Sequence, residues 1–434
     1  PPRRLPDARS LPPGVGLRRT RPSMGGQSFW RRVIAAACAL LASTAGGRAP
    51  VAHVLAYGEQ KDGVVNPHVC SLAHTVKAAG GELSLFGLFN GLQEELPGGI
   101  PNHHRGKAWM VKKNWLLLRA LATVPNNETV VAVDAFDVVF QRPLSKVVDT
   151  YRRLAAPVAR ATGIWPVIYG GEANCWPFPH NGEIPVHLTP RSRSPGGDAD
   201  FVHRIPEHSS MSARHVSHLR DERLPYGDRS PWSIPGSQFC QQWLSDTYAR
   251  AGADPSDPES VERARRENPF PFLCSGGAVG TAGSLKRVLR HFIRVHVLSG
   301  EYDDQAILSK VLLRNRSLGF VDTRGEIFLQ LHGHPDSVTE RPLCQEGYLE
   351  RVGAGGATFQ DFRPPPLRDA AGATPAVLHF NGNGKRWRKK CSSHLREAGL
   401  LGKLDPPIDE YGDPIPECRV FDHDRRVWIQ IADP

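Results

Sequence analysis

Two carboxylates, Asp134 and Asp137, sit between apolar runs in the stretch TVVAVDAFDVVFQ, residues 129–141. Acids placed in an apolar setting are costly unless something cationic neutralises them. A hard divalent ion suits carboxylate oxygens and often holds substrate phosphates as well. The competing reading is a solvated Asp pair that ends a strand at a turn, and D-x-x-D alone does not separate the two. Far along the chain, His379 closes the apolar run AVLHF and is followed by Asn381-Gly382-Asn383-Gly384, then Lys385 and Arg386. A lone histidine at a strand end is more often packed or solvated than a ligand. Here a neutral imidazole would complete a coordination sphere begun by two carboxylates. The glycine loop would let backbone N–H groups reach phosphate oxygens, and Lys385 would add a point charge. The set fits a metal–diphosphate site better than any of its members does alone.

These residues need a scaffold that brings distant strand ends together. Residues 51–57 (VAHVLAY) read as a first buried strand, and residues 67–79 carry Val69, Leu72, Ala73 and Val76 on a helical stripe closed by Gly80-Gly81. A second strand is expected at 83–89 and a Gly/Pro/His loop at 97–106. A long helix follows over 107–121, with Lys112 and Lys113 facing outward. The acidic strand begins after Pro125-Asn126-Asn127. Strand, helix, strand, helix, strand is the rhythm of an α/β fold with a mostly parallel sheet flanked by helices. Ligands on such sheets collect at the carboxyl ends of the strands, where Asp134 and Asp137 fall.

Beyond the acids, a helix is expected at 144–154 and a strand at 167–169. From about residue 180 to 269 Pro, Ser, Arg and His dominate, and periodicity is poor apart from a helix at 238–251. This stretch reads as a long irregular insertion, and His203, His208, His215 and His218 as solvated loop histidines. A strand at 270–280 (FPFLCSGGAVG) and an amphipathic helix at 281–298 follow. Tyr302-Asp303-Asp304-Gln305 then opens a helix over 306–313, where acids in the first turn favour the dipole. Capping is the simpler role for Asp303 and Asp304. Short strands are expected at 318–322, 326–331 and 376–380, with a loose linker at 353–373.

Composition narrows the class. The chain has 434 residues, 38 prolines, 42 glycines and a formal charge of +10. Residues 1–32 hold eight Arg against one acid, leaving 46 basic against 43 acidic residues elsewhere. A basic tail on a nearly neutral body argues against a nucleic-acid groove. From Met24 the sequence MGGQSFWRRVIAAACALLASTAGGRA has the basic, apolar and small-residue order of a signal peptide. Its apolar run falls short of the ~20 residues of a membrane span, so cleavage is expected rather than a stable span; an uncleaved leader would be a signal-anchor. The eight cysteines show no C-x-x-C pair, and the seven beyond Cys38 are an odd number, so at least one thiol is expected to be free. Asn127-Glu128-Thr129 and Asn315-Arg316-Ser317 are N-glycosylation sequons.

The motifs VVAVDAFDVVF, CWP, FLCSGGAVG, DDQAIL, D-x-x-x-x-IF and HFNGNGK occur in the order found in another group of sequences. In this order they resemble the glycosyltransferase domain of the collagen lysyl hydroxylase (procollagen-lysine hydroxylase/glycosyltransferase) family. The H-F-x-G-x-x-K-x-W tail is also similar to glycogenin-type sugar transferases. The resemblance covers roughly residues 51–390 apart from the insertion. It implies a GT-A-like fold and a Mn²⁺-dependent UDP-sugar transferase, with Mn²⁺ or another divalent cation on Asp134, Asp137 and His379. On the same resemblance Asn381, Gly382 and Lys385 hold the diphosphate. Phe136 stacks on the nucleotide without the hydroxyl of the family's Tyr, and Tyr57 lies near the base. Lys107 falls in the family's G-x-K-x-x-W-like segment, and Trp176 matches an aromatic on the acceptor side. Asp303 and Asp304 match acceptor-side acids, one of them a candidate for catalysis. Cys274 stands where the family has an Asn, so an amide that would contact sugar or acceptor is absent. No oxygenase domain is expected after the transferase motifs.

The expectation is therefore a hexosyltransferase acting from a UDP-hexose donor on a protein or glycan hydroxyl. The resemblance points to hydroxylysine or glycosylated hydroxylysine of a collagen-like protein. The chain would divide into a leader (1–50), a transferase domain (51–390) and a C-terminal extension (391–434), and act in the lumen of the endoplasmic reticulum or Golgi or as a secreted protein. Two rivals stand beside it: a catalytically inactive secreted nucleotide-sugar or glycan-binding protein of the same fold, and a phosphoester-cleaving metal hydrolase. Two-metal hydrolase sites normally gather more ligands than the three residues found here.

Overall fold

The computed structural model describes residues 52–58, 60–61, 64–65, 69–88, 108–177, 183–188, 199–204, 236–299, 301–332, 349–351, 360–362, 375–385 and 418–431. The leader, the loop at 97–106, Lys107, His208, His215, His218, Cys344 and Cys391 lie outside them.

An 11-stranded mixed sheet organises these residues. Its strands are β1 (His53–Tyr57), β2 (Leu83–Phe86), β3 (Thr129–Asp134), β4 (Val138–Phe140) and β5 (Val167–Glu172). A separate hairpin pairs β6 (Glu183–Val186) with β7 (Phe201–Arg204). The sheet continues with β8 (Phe272–Thr281), β9 (Gly319–Asp322), β10 (Phe328–Gln330), β11 (Val377–His379), β12 (Cys418–Asp422) and β13 (Val427–Ile431). Across the sheet the order is β13-β12-β2-β1-β3-β8-β5-β10-β11-β4, with β9 also on β5. β2 and β3 flank β1 in parallel, and β9 and β10 run parallel to β5. β8 lies antiparallel between β3 and β5. The architecture is α/β with a mostly parallel sheet, as the strand–helix alternation implies.

Burial on both faces explains the unbroken apolar runs. In β3 the side chains of Val131 and Val133 join one core cluster, while Val130 and Ala132 join the other. The first cluster is covered by α1 (Val69–Ala78) and α3 (Leu144–Thr162). The second is covered by α2 (Ala108–Ala120), α4 (Gly236–Arg250), α6 (Ala282–Ser299) and α7 (Asp304–Arg314). α3 runs well past residue 154, through Pro157 to a left-handed Gly163 whose N–H returns to Ala159 O at 2.8 Å.

Four expectations are corrected. Lys112 and Lys113 are buried, not outward; Lys113 finds two carboxylates below its helix, which offset the cost of removing an ammonium from water. His203 is buried rather than solvated, its Nδ1 lying 2.8 Å from the Tyr248 hydroxyl. The 180–269 stretch holds more order than its composition implies: beside the expected helix, α4, it carries the β6–β7 hairpin and α5 (Pro258–Glu267). α5 starts on an N-cap, Asp257 accepting from Glu259 N, with Pro258 in its first turn. Within the 353–373 linker, Gln360–Phe362 pairs antiparallel with Leu349–Arg351.

The C-terminal hairpin β12–β13 extends the main sheet beside β2, and a Cys70–Cys418 disulfide ties it to α1. A second disulfide, Cys175–Cys240, joins the segment after β5 to α4. Among the described residues Cys274 is free and buried. No helix of the described residues is long and apolar enough to cross a membrane.

Candidate metal centre

Strand direction decides where the chemistry-bearing residues meet. β3, β5, β10 and β11 share one orientation, so Asp134, Glu172, Gln330 and His379 all fall at carboxyl ends on one edge of the sheet. β4 returns antiparallel against β11 with Val138 opposite His379, and Phe380 N donates to Asp137 O at 2.8 Å. The turn between β3 and β4 therefore presents both acids to the imidazole. His379 Nε2 lies 3.6 Å from Asp134 Oδ2 and 3.2 Å from Asp137 Oδ1. One ligand atom from each residue falls within 4.8 Å of the others, a possible metal site. The spacing and the mixed carboxylate–imidazole donor set fit one divalent cation.

The surroundings fix these three side chains. His379 Nδ1 is hydrogen-bonded to Gln330 Oε1, which leaves Nε2 for the acids. The imidazole is 3% exposed. Burial disfavours its charged form, but Asp137 and Asp134 outweigh that and raise its pKa. Gly276 closes the floor, because a Cβ there would stand 2.0 Å from His379 Cε1 and 2.8 Å from Asp134 Oδ2. Its register shift is built into β8, whose pairing with β5 breaks between Cys274 and Ala278.

A second polar layer adjoins the triad. Lys113 Nζ lies 3.0 Å from Asp134 Oδ1 and 2.9 Å from Asp304 Oδ2. Burial opposes its charge, yet the two carboxylates hold its pKa well above the ordinary lysine range. Ser275 Oγ donates to Asp304 Oδ1 at 3.1 Å, and Asn114 Nδ2 to Asp304 Oδ2 at 3.4 Å. Asp303, by contrast, is the N-cap of α7, accepting from Ala306 N at 2.9 Å. Glu172 is buried; Gln305 Nε2 donates to one oxygen and Asn381 Nδ2 to the other, at 3.3 Å for the latter. Burial pushes its pKa up to about 8, although both amides pull the other way. Lys113 and Glu172 carry no motif; in the sequence one reads as an outward helical lysine and the other falls after the strand expected at 167–169.

The remaining candidates distribute around this edge. Asn381 Oδ1 accepts from Leu331 N at 3.1 Å and His332 N at 2.9 Å, so its side chain fastens the glycine turn to the end of β10. Gly382 has φ of 52°, and a Cβ would meet His332 Nδ1 at 2.3 Å, which restricts this turn to glycine. Lys385 ends the same turn, half-buried. Tyr57 aligns with Asp134 across β1–β3 and is buried against Phe86 with ring centroids 5.9 Å apart. Phe136 is partly buried against the first core cluster. The Trp176 carbonyl accepts from Gln305 Nε2 at 3.1 Å. Cys274 Sγ lies 3.9 Å from His379 Nδ1 and 3.7 Å from Asn381 Nδ2, and burial pushes its thiol pKa well up, so it is a neutral wall of the site. Lys107 lies outside the described residues.

No protein-family model matches the chain, and no curated protein matches it. Among solved structures it is similar to the apo structure of the WbbM bifunctional glycosyltransferase, at 10% identity and a TM-score of 0.29, over 78% of this chain. The chain spans 47% of that solved chain, about half its length.

Proposed function

We propose that the protein is a metal-dependent GT-A-type glycosyltransferase that moves a hexose from a UDP-sugar to a hydroxyl. The single observation that carries this reading is the meeting of Asp134, Asp137 and His379 at the carboxyl edge of the sheet. A bound Mn²⁺ or similar cation would supply charge stabilisation for a departing diphosphate. The chain's own part is to hold the ligands rigidly: Gln330 orients the imidazole, the β3–β4 turn presents both acids, and Gly276 leaves room. The turn from Asn381 to Lys385 lies just past His379, which puts backbone amides beside the metal ligands. Asp304 rather than Asp303 suits the acceptor side. Asp303 is spent on capping α7, whereas Asp304 is oriented by Lys113, Ser275 and Asn114 and lies beside the metal ligands. A carboxylate so placed accepts a hydrogen bond from a substrate hydroxyl.

The acceptor proposed is a hydroxyl of a protein or glycan, with hydroxylysine of a collagen-like chain as the first to try. The two disulfides are of the kind that persist in oxidising compartments, which supports a lumenal or secreted location. The test is UDP release from UDP-glucose, UDP-galactose and related donors with and without Mn²⁺. Mn²⁺-dependent release lost in Asp134→Asn is the expected result. UDP–Mn²⁺ binding with no sugar release over a broad acceptor panel would select a non-catalytic binding protein, a reading favoured by the thiol of Cys274 in place of an amide. Release of inorganic phosphate from nucleotides would favour the hydrolase.

A further inference from the structure

Lys113 belongs to no motif, yet its ammonium touches both halves of the site. It sits 3.0 Å from Asp134 Oδ1 and 2.9 Å from Asp304 Oδ2, with its side chain 10% exposed. The division of Asp134 is informative: Oδ1 faces Lys113, while Oδ2 faces His379 Nε2 at 3.6 Å. Asp304 is divided in the same way, Oδ2 to Lys113 and Oδ1 to Ser275 Oγ at 3.1 Å. One cation is thus shared by a metal ligand and the carboxylate on the acceptor side.

We propose that Lys113 is a positioning residue that couples cation binding at Asp134, Asp137 and His379 to the Asp304 carboxylate. This inference rests on the metal-centre reading above. Charges a few ångströms apart in a part-buried site interact several times more strongly than in water. The Asp304 carboxylate draws Lys113 charge away from Asp134 and leaves that ligand more available to a cation. Without that carboxylate, the whole ammonium bears on Asp134 and competes with the cation. Coupling of this kind is reciprocal, so an incoming cation also strengthens the hold of Lys113 on Asp304. Asp304 is therefore fixed in position when the metal is in place. Ser275 and Asn114 complete that hold and keep the carboxylate pointed.

The test is a double-mutant cycle on the full chain, read by Mn²⁺ binding alone, with no sugar donor present. Asp304→Asn is combined with native Lys113, Lys113→Met and Lys113→Arg, with Lys113→Gln as the second uncharged variant should the Met protein not fold. Loss of the Asp304 charge acts through space in every background, so the difference between backgrounds isolates the route through Lys113. Asp304→Asn is expected to raise the Mn²⁺ Kd about tenfold with Lys113, and about twofold or less with Met or Gln, coupling in the usual range. Lys113→Arg should restore most of the difference, which a residue needed only for packing would not do. An equal effect of Asp304→Asn in all backgrounds overturns the coupling while leaving the metal centre standing. Absence of saturable Mn²⁺ binding by the native protein overturns both.

Discussion

Replacing Gly276 with alanine is the smallest change expected to break the Asp134–Asp137–His379 cluster. The added methyl would stand 2.0 Å from His379 Cε1, 2.6 Å from Nδ1 and 2.8 Å from Asp134 Oδ2. Carbon atoms in contact prefer about 3.5–4.0 Å, so the imidazole would have to retreat by roughly 1.5 Å. It has nowhere to go: its backbone is locked between β10 and β4, and its Nδ1 is held by Gln330. A misplacement of about 1 Å at a reacting centre costs on the order of a hundredfold, and disturbing the support of a single ligand costs about 10–100-fold in metal affinity. Gly276→Ala should therefore weaken Mn²⁺ binding about a hundredfold or more. The fold should survive, because overpacking one methyl costs about 1–3 kcal/mol. Isothermal titration with Mn²⁺ beside a thermal melt separates the two effects. Native Mn²⁺ affinity in a folded Gly276→Ala protein would refute the placement of the imidazole against that glycine.

Other perturbations probe the supports. Gln330→Leu removes the partner of His379 Nδ1 and should weaken Mn²⁺ binding about 10–100-fold with the three ligands intact, again read by titration. Glu172, raised from 4.5 to about 8 by burial, holds its proton longer in the folded than in the unfolded chain. Its contribution is full below about pH 4.5 and is lost as pH rises to about 8, so the melting temperature should fall across that window and fall less in Glu172→Gln. Opening the Cys70–Cys418 bridge by serine substitution at both positions releases a loop spanning 348 residues. The expected loss is roughly 3–5 kcal/mol in denaturant unfolding, with β12 detaching from the sheet edge first in hydrogen exchange.

The parts of the site that could be read from sequence are those where apolar runs bracket a polar residue. Asp134, Asp137 and His379 each interrupt or end such a run, and a parallel sheet sends strand ends of this kind to one edge. Lys113 was illegible for the opposite reason. It lies on a helix whose apolar stripe is satisfied without it, and its partners are 21 and 191 positions away along the chain, Asp134 and Asp304. His203 hides for the same cause, its Tyr248 partner lying across the 205–235 segment. α5 is faint in the sequence because PESVERARRE is so charged that only Ser260, Val261 and Ala264 are buried, although Asp257-Pro258 is a helix-start signal. In β12 the alternation of buried Cys418, Val420 and Asp422 with Arg419 and Phe421 was a period-2 pattern, and its weak hydrophobicity matches a place near the sheet margin.

Everything proposed for this protein requires that one cation be held by two acids from the β3–β4 turn and an imidazole from β11. Mn²⁺ titration of the native protein against Asp134→Asn, Asp137→Asn and His379→Ala tests that most directly. Saturable binding at one site, weakened at least about a hundredfold by each substitution alone in a folded protein, is the predicted result. Binding that is indifferent to His379→Ala would contradict it.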